Sequence, residues 1–254
     1  MDISGLEKFK QTIASGKIAL GAVMTLTDPT VAELAGYAGM DFIWIDSEHN
    51  AYNNETLKNL VIAAKAGGAA PLVRVRSNDP DLIKPVLDMA PAGVIIPMVC
   101  SAEAARKAVG ACKYPPVGFR GCGVRRAVGY GALDFFEYLK KSANEPLVII
   151  QIEHVDAVRN LDEILAVPGI DSICVGPCDL SGSMGILNQM NDPELNKVLD
   201  EVCAKVKKSG HLLGTAAGDF PRWKERGVNW FTGVSDWGGI AGAFRNFRKE
   251  CEKC

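Results

Sequence analysis

Apolar runs recur along this chain at residues 18–23, 42–46, 70–75, 93–98, 147–153, 170–179, 211–215 and 228–233. Most are nearly continuous in apolar residues rather than alternating, the pattern of parallel strands buried on both faces. The stretches between them, among them 30–38, 102–112 and 155–167, return their apolar residues at helical spacing. Eight strands alternating with helices over 254 residues predict a (β/α)8 TIM barrel, whose usual size is about 250 residues. An open doubly wound sheet is the alternative. No Gly-x-Gly-x-x-Gly turn follows the first run, so a dinucleotide fold lacks its main signal. No linker or low-complexity stretch divides the pattern, and residues 1–254 read as one domain.

In such a barrel, chemistry collects at the C-terminal ends of the strands. The fifth run ends in Gln151 and Glu153, and the sixth leads through Gly176 and Cys178 to Asp179. With one helical stretch between them, the two runs put Glu153 and Asp179 at neighbouring parallel strand ends. Two adjacent carboxylates repel unless a proton or a cation separates them, and hard carboxylate oxygens suit Mg²⁺ or Mn²⁺. The structural alternative makes Glu153 the start of one helix and Asp179 the cap of the next. His49 follows the second run, where it is either a general base or a hydrogen-bonded structural residue. Arg74 lies inside the third run, where a charge needs a partner. An anionic ligand, a neighbouring carboxylate, or both would supply one.

Composition narrows the field. Apolar residues make up 48% of the chain, enough for one large core. A formal net charge of −2 offers no basic field for nucleic acid. No apolar run approaches the roughly 18 residues of a membrane span. The first ten residues are charged and amphipathic, with no signal-peptide core, which points to the cytoplasm and to eight cysteines kept as thiols. The spacings of Cys174 with Cys178, and of Cys251 with Cys254, do not supply a zinc ligand set.

Several segments, in order, carry a specific resemblance: Asp46-Ser47-Glu48-His49, Pro71-Leu72-Val73-Arg74, Asn78-Asp79-Pro80, Ile96-Pro97-Met98-Val99, Tyr114-Pro115-Pro116, Arg120-Gly121-Cys122-Gly123, Gln151-Ile152-Glu153 and Gly176-Pro177-Cys178-Asp179-Leu180-Ser181. Together they resemble the HpcH/HpaI aldolases, metal-dependent pyruvate aldolases acting on 2-keto-3-deoxy acids, over roughly residues 18–243. The resemblance implies the barrel independently of periodicity. It also implies metal ligation by Glu153 and Asp179, a base at His49, enolate stabilisation by Arg74, and an aspartate at Asp88 that raises the histidine's basicity. Gln151, Gly176 and Cys178 correspond to substrate-binding positions. Departures are Ser47 in place of a common glycine, the continuation Asn50-Ala51-Tyr52-Asn53, and Cys178 where a small residue is usual. Those at Ser47 and Tyr52 lie nearer the aldehyde side and bear on specificity.

The implied reaction is reversible cleavage of a 4-hydroxy-2-oxo acid to pyruvate and a small aldehyde, through a pyruvate enolate stabilised by Mg²⁺, Mn²⁺ or Co²⁺. The apolar runs contain no lysine, which disfavours a Schiff-base aldolase. A citramalyl- or malyl-CoA-type lyase and a non-catalytic barrel that binds a small acid are the remaining alternatives. Asp79-Pro80 reads as a helix start and places Asp88 at that helix's far end, away from its own His49. The expected role of Asp88 then requires a second subunit, in a homo-oligomer that the resemblance implies to be a hexamer.

Overall fold

The computed structural model describes residues 2–216 and 218–253. Eight parallel strands close into a barrel in sequence order. They are β1 (Ala19–Met24), β2 (Phe42–Asp46), β3 (Ala70–Arg74), β4 (Gly93–Ile96), β5 (Leu147–Ile152), β6 (Ser172–Val175), β7 (Leu212–Thr215) and β8 (Trp230–Ser235). The (β/α)8 expectation holds: β2 to β6 are buried throughout, β1 and β7 are buried over most of their length and β8 over its first half, and each crossover returns the chain to the opposite end.

The barrel interior is packed with side chains. Phe42, Trp44, Leu72, Ile95, Ile149 and Trp230 are all buried there. An N-terminal helix, Leu6–Ala14, adds Leu6 and Phe9 to the same cluster. Phe9 meets Phe42 edge-on at 5.7 Å, and Phe42 meets Trp230 at 5.6 Å. Room for Trp230 comes from its register partner Gly214, where an added Cβ would lie 1.9 Å from the indole. The buried indole N–H donates to Ser172 Oγ at 2.9 Å. A second apolar layer lies between the strands and the surrounding helices.

Three local expectations change, the first at the run 170–179, where the strand stops at Val175 and Asp179 falls in the helix Pro177–Ser183. The stretch 155–167 forms two short helices, Val155–Arg159 and Leu161–Leu165, broken at Asn160. The Asn160 side chain leaves the helix and donates to the Cys100 carbonyl at 2.8 Å, the competition with backbone that makes asparagine a poor helix interior residue. The run at 93–98 stops being a strand at Ile96. Pro97 cannot donate to a ladder, and Met98 turns into the left-handed region at φ 54°. Between Cys112 and β5 the chain adds a short 3-10 turn, Arg126–Gly131, and a helix, Phe135–Ser142. The described cysteines are all unpaired thiols, and Cys254 lies outside the described residues.

Candidate active site

β2 and β3 pair in register so that Asp46 stands opposite Arg74 at their C-terminal ends. Arg74 Nε donates to Asp46 Oδ1 at 2.9 Å and Nη2 to Oδ2 at 2.8 Å, a two-pronged pair. Its remaining nitrogen, Nη1, lies 2.9 Å from Glu48 Oε2. The guanidinium also sits 5.2 Å from the centre of the Trp44 ring. Burial works against the Arg74 charge, but the hydrogen bonds and charge of Asp46, with Glu48 and Glu153 beyond, outweigh it and hold the group above its ordinary pKa. The carboxylate partner expected for Arg74 is thus present, and the guanidinium also lines a cavity.

That cavity, of about 460 Å³, lies at the C-terminal ends of the strands. His49, Arg74, Gln151, Gly176, Cys178 and Asp179 all line it, although they come from β2, β3, β5 and β6 and the turns after them. His49 has an exposed side chain whose Nε2 is 3.7 Å from Glu48 Oε2. Asp46 Oδ1 accepts from the backbone N–H of Glu48 at 3.1 Å, which ties down the turn carrying His49. The Ser47 hydroxyl donates to the Arg74 carbonyl, so this departure from the usual glycine fastens the same turn to β3.

Glu153 is buried just past β5. Its Oε1 accepts from the Met98 N–H at 2.8 Å, and its Oε2 accepts from Gln151 Nε2. Burial is the main reason that its pKa rises to about 7; Glu48 and Asp179 add to the rise, while the Met98 N–H and Arg74 oppose it. Burial likewise raises Glu48, with Asp46 and Asp179 adding to the effect and Arg74 and His49 countering it. The structural alternative for the two carboxylates does not apply. His154, not Glu153, caps the following helix, and Asp179 lies inside the first turn of the helix Pro177–Ser183, which has no side-chain cap.

Asp88 is not part of this group. It ends the helix Pro80–Asp88, which runs from the mouth back to the start of β4. There it lies 3.4 Å from Arg120 Nη2, whose guanidinium stacks 4.6 Å from the centre of the Tyr114 ring. A larger cavity, of about 620 Å³, opens beside that helix end between Leu87, Pro146 and Lys141, away from the groups gathered at the mouth.

Sequence reading missed Asp46, Glu48 and Met98 as working parts. Asp46 and Glu48 were visible as acids in the same short segment as His49, and the strand-end register was the signal that paired Asp46 with Arg74. The Met98 contribution is a backbone N–H, which residue type does not reveal.

A model of the HpcH/HpaI aldolase/citrate lyase family matches residues 21–228. The chain belongs to that family. It is 34% identical over 216 residues to a hydroxypyruvate/pyruvate aldolase of Roseobacter denitrificans, covering 84% of each chain. It is 35% identical over 235 residues to a 5-keto-4-deoxy-D-glucarate aldolase of Citrobacter koseri, covering 91% of each. The barrel superposes on the crystal structure of an HpcH/HpaI aldolase from Desulfitobacterium hafniense with a TM-score of 0.88, at 31% identity and 96% coverage of both chains. Membership of the HpcH/HpaI family makes this protein a carbon–carbon lyase. None of its helices, among the described residues, is long and apolar enough to cross a membrane.

HpcH/HpaI aldolases of this type use a divalent metal, and the donor set here fits one. No group of three or more His, Cys, Asp or Glu side chains gathers as a ready-made metal cage among the described residues. Glu153 and Asp179 instead offer two hard oxygen donors, and their mutual repulsion with Glu48 makes a cation favourable. Gln151 Oε1 is buried beside them with no partner. Two protein carboxylates would leave most positions of a hard divalent ion open to water and substrate.

Proposed function

We propose that the protein reversibly cleaves 4-hydroxy-2-oxo acids to pyruvate and a small aldehyde. The observation that carries this reading is the convergence of His49, Arg74, Gln151 and Asp179 on one cavity, with Glu153 held beneath it. Glu153 and Asp179 would hold the divalent ion, Mg²⁺ or Mn²⁺ with Co²⁺ as a further candidate. Once bound, that ion would act as a Lewis acid on the 2-oxo group.

His49, as the neutral imidazole, takes the proton from the C4 hydroxyl, directly or through water. The C4 oxygen then forms the aldehyde carbonyl as the C3–C4 bond breaks. The electron pair of that bond passes into the pyruvate enolate, and a proton later added at C3 completes pyruvate. Arg74 keeps a fixed positive charge where negative charge grows on the enolate oxygen. Asp46 and Trp44 hold its plane in place before the reaction begins, so little reorganisation is needed. Gln151, Gly176 and Cys178 form the wall against which the 2-oxo acid end lies.

The expected part of Asp88, raising the basicity of His49, fits a shared site. Asp88 is at the opposite end of its own barrel, so we place it against the His49 of another subunit in a homo-oligomer, with a hexamer favoured. The cytoplasm remains the expected location, and residues 1–254 the expected extent of a single domain.

Release of pyruvate from a 2-keto-3-deoxy acid, followed with lactate dehydrogenase in the presence of Mg²⁺ or Mn²⁺, tests the reading. Cleavage only of a CoA thioester would turn it towards the citramalyl- or malyl-CoA-type lyase. Tight binding of 2-oxo acids with no turnover would make the barrel a binding protein.

A further inference from the structure

The turn that presents His49 is tied down at both ends. Residues 47–53 have no regular structure. The exposed His49 side chain approaches Glu48 at 3.7 Å, too far for a hydrogen bond, so the imidazole goes where the backbone carries it. At the near end the Asp46 carboxylate holds the Glu48 N–H, the Asp46 carbonyl accepts from Asn50 Nδ2 at 3.0 Å, and the Ser47 hydroxyl reaches the Arg74 carbonyl. At the far end the tie is Tyr52, just past the histidine in the segment Asn50-Ala51-Tyr52-Asn53, where this chain departs from the pattern usual in its family.

Tyr52 is buried, and it packs in the apolar layer between the strands and the helices. Its hydroxyl donates to the Leu26 carbonyl at 3.1 Å, in the loop after β1. Its own carbonyl accepts from Arg76 Nη2, in the loop after β3. The loop after β1 is a firm anchor. Asp236, buried at the start of the helix Asp236–Cys251, accepts from the N–H groups of Thr25 and Leu26, each at 2.7 Å, and from the Thr25 hydroxyl at 2.8 Å. A line of hydrogen bonds thus joins the loops after β8, β1, β2 and β3 around one side of the mouth. Burial, with the negative charges of Asp236 and Asp46, pushes the Tyr52 hydroxyl above its ordinary pKa and keeps it a neutral donor.

Resting on the aldolase reading above, we infer that Tyr52 is a positioning residue for the base: its hydroxyl, held on the Leu26 carbonyl, fixes the far end of the turn and so the placement of His49. Tyr52 does not line the cavity and acts only through the turn. An aspartate reaching the imidazole from another subunit acts on the ring and not on this backbone, so the tether and a shared site are compatible. Proton transfer depends steeply on placement, and a displacement of about 1 Å costs about a hundredfold. Loss of one hydroxyl tether, with the near end of the turn intact, should cost about tenfold.

The deciding experiment compares a step that needs His49 with one that largely does not. With the Mn²⁺-loaded oligomer, two rates are measured on each preparation. One is pyruvate release from 2-keto-3-deoxygluconate, or from the shorter 4-hydroxy-2-oxo acid that is cleaved fastest. The other is exchange of the pyruvate methyl protons with D2O, followed by proton NMR. Their ratio is independent of the fraction folded. Tyr52→Phe keeps the ring and removes only the hydroxyl, and it should lower the ratio of cleavage to exchange by about tenfold. Arg76→Gln, which frees the Tyr52 carbonyl, should shift the ratio in the same direction and decides the matter if Tyr52→Phe does not fold. In a His49→Ala background, Tyr52→Phe should leave the residual cleavage within about twofold, because no base is left to place. A folded Tyr52→Phe enzyme with the wild-type ratio, even with both rates reduced, overturns the inference, as does a further tenfold loss in the His49→Ala background. His49→Ala with the wild-type ratio would instead remove His49 as the base, and a wild-type enzyme that releases pyruvate from no 4-hydroxy-2-oxo acid would remove the aldolase reading, each taking this inference with it.

Discussion

Asp46 grips Arg74 through two hydrogen bonds, at 2.9 and 2.8 Å, across the ends of β2 and β3. The pair is nearly enclosed, with 6% of the Asp46 side chain and 11% of the Arg74 side chain exposed. Removing one member of such a pair leaves a buried charge with an incomplete shell, and the penalty is larger than the net worth of the pair.

Asp46→Asn should therefore destabilise the protein by about 3 kcal/mol, moderated by Glu48 on the other side of the guanidinium. Chemical denaturation would read that loss. Arg74→Lys keeps a charge but loses the planar fork, and it should lower kcat and kcat/KM together. A change in KM alone would make Arg74 a binding group with no share in stabilising the enolate.

Metal dependence should follow Glu153, just past β5, and Asp179, in the first turn of the helix after β6. Exhaustive chelation should abolish pyruvate release, and Mn²⁺ should restore it. Glu153→Gln and Asp179→Asn should each weaken Mn²⁺ binding to the unliganded protein, measured by electron paramagnetic resonance. A crystal soaked with Mn²⁺ and pyruvate should show both carboxylates at roughly 2.0–2.3 Å from the ion. Undiminished activity in the chelated enzyme would sink this assignment.

His49→Ala should lose aldol cleavage while keeping some exchange of the pyruvate methyl protons, because forming the enolate and deprotonating the C4 hydroxyl are separate tasks. His49→Ala and Asp88→Asn chains, each nearly inactive alone, should regain part of the activity when co-assembled. Mixed oligomers contain sites that receive an intact group from each parent. Verified mixed oligomers with no recovery, alongside an inactive Asp88→Asn parent, would place the two groups in one chain.

Met98 holds a left-handed backbone, at φ 54°, while its N–H donates to Glu153 Oε1. A β-branched side chain fits that conformation badly, so Met98→Val should cost about 1–2 kcal/mol and lower the melting temperature by a few degrees. Met98→Gly relieves the backbone strain and keeps the donor. If both variants melt alike and bind Mn²⁺ with equal affinity, the turn has no part in positioning Glu153.

Local sequence was sufficient for the strands and for the end of the barrel where the polar groups gather. A parallel strand covered on both faces must be apolar almost throughout, and a polar residue at its C-terminal end then stands out. His49, Arg74, Glu153 and Asp179 were legible in that way, with the family resemblance supplying their expected roles. The tertiary structure decided which charges answer one another. Strand register set Asp46 against Arg74, and the turn after β4 aimed the Met98 N–H at Glu153. Asn160 broke an apparently continuous helix by reaching a carbonyl on a distant segment. Periodicity along the chain determines which face of an element is buried. Which side chain meets which depends on distances between segments that only closure of the barrel defines.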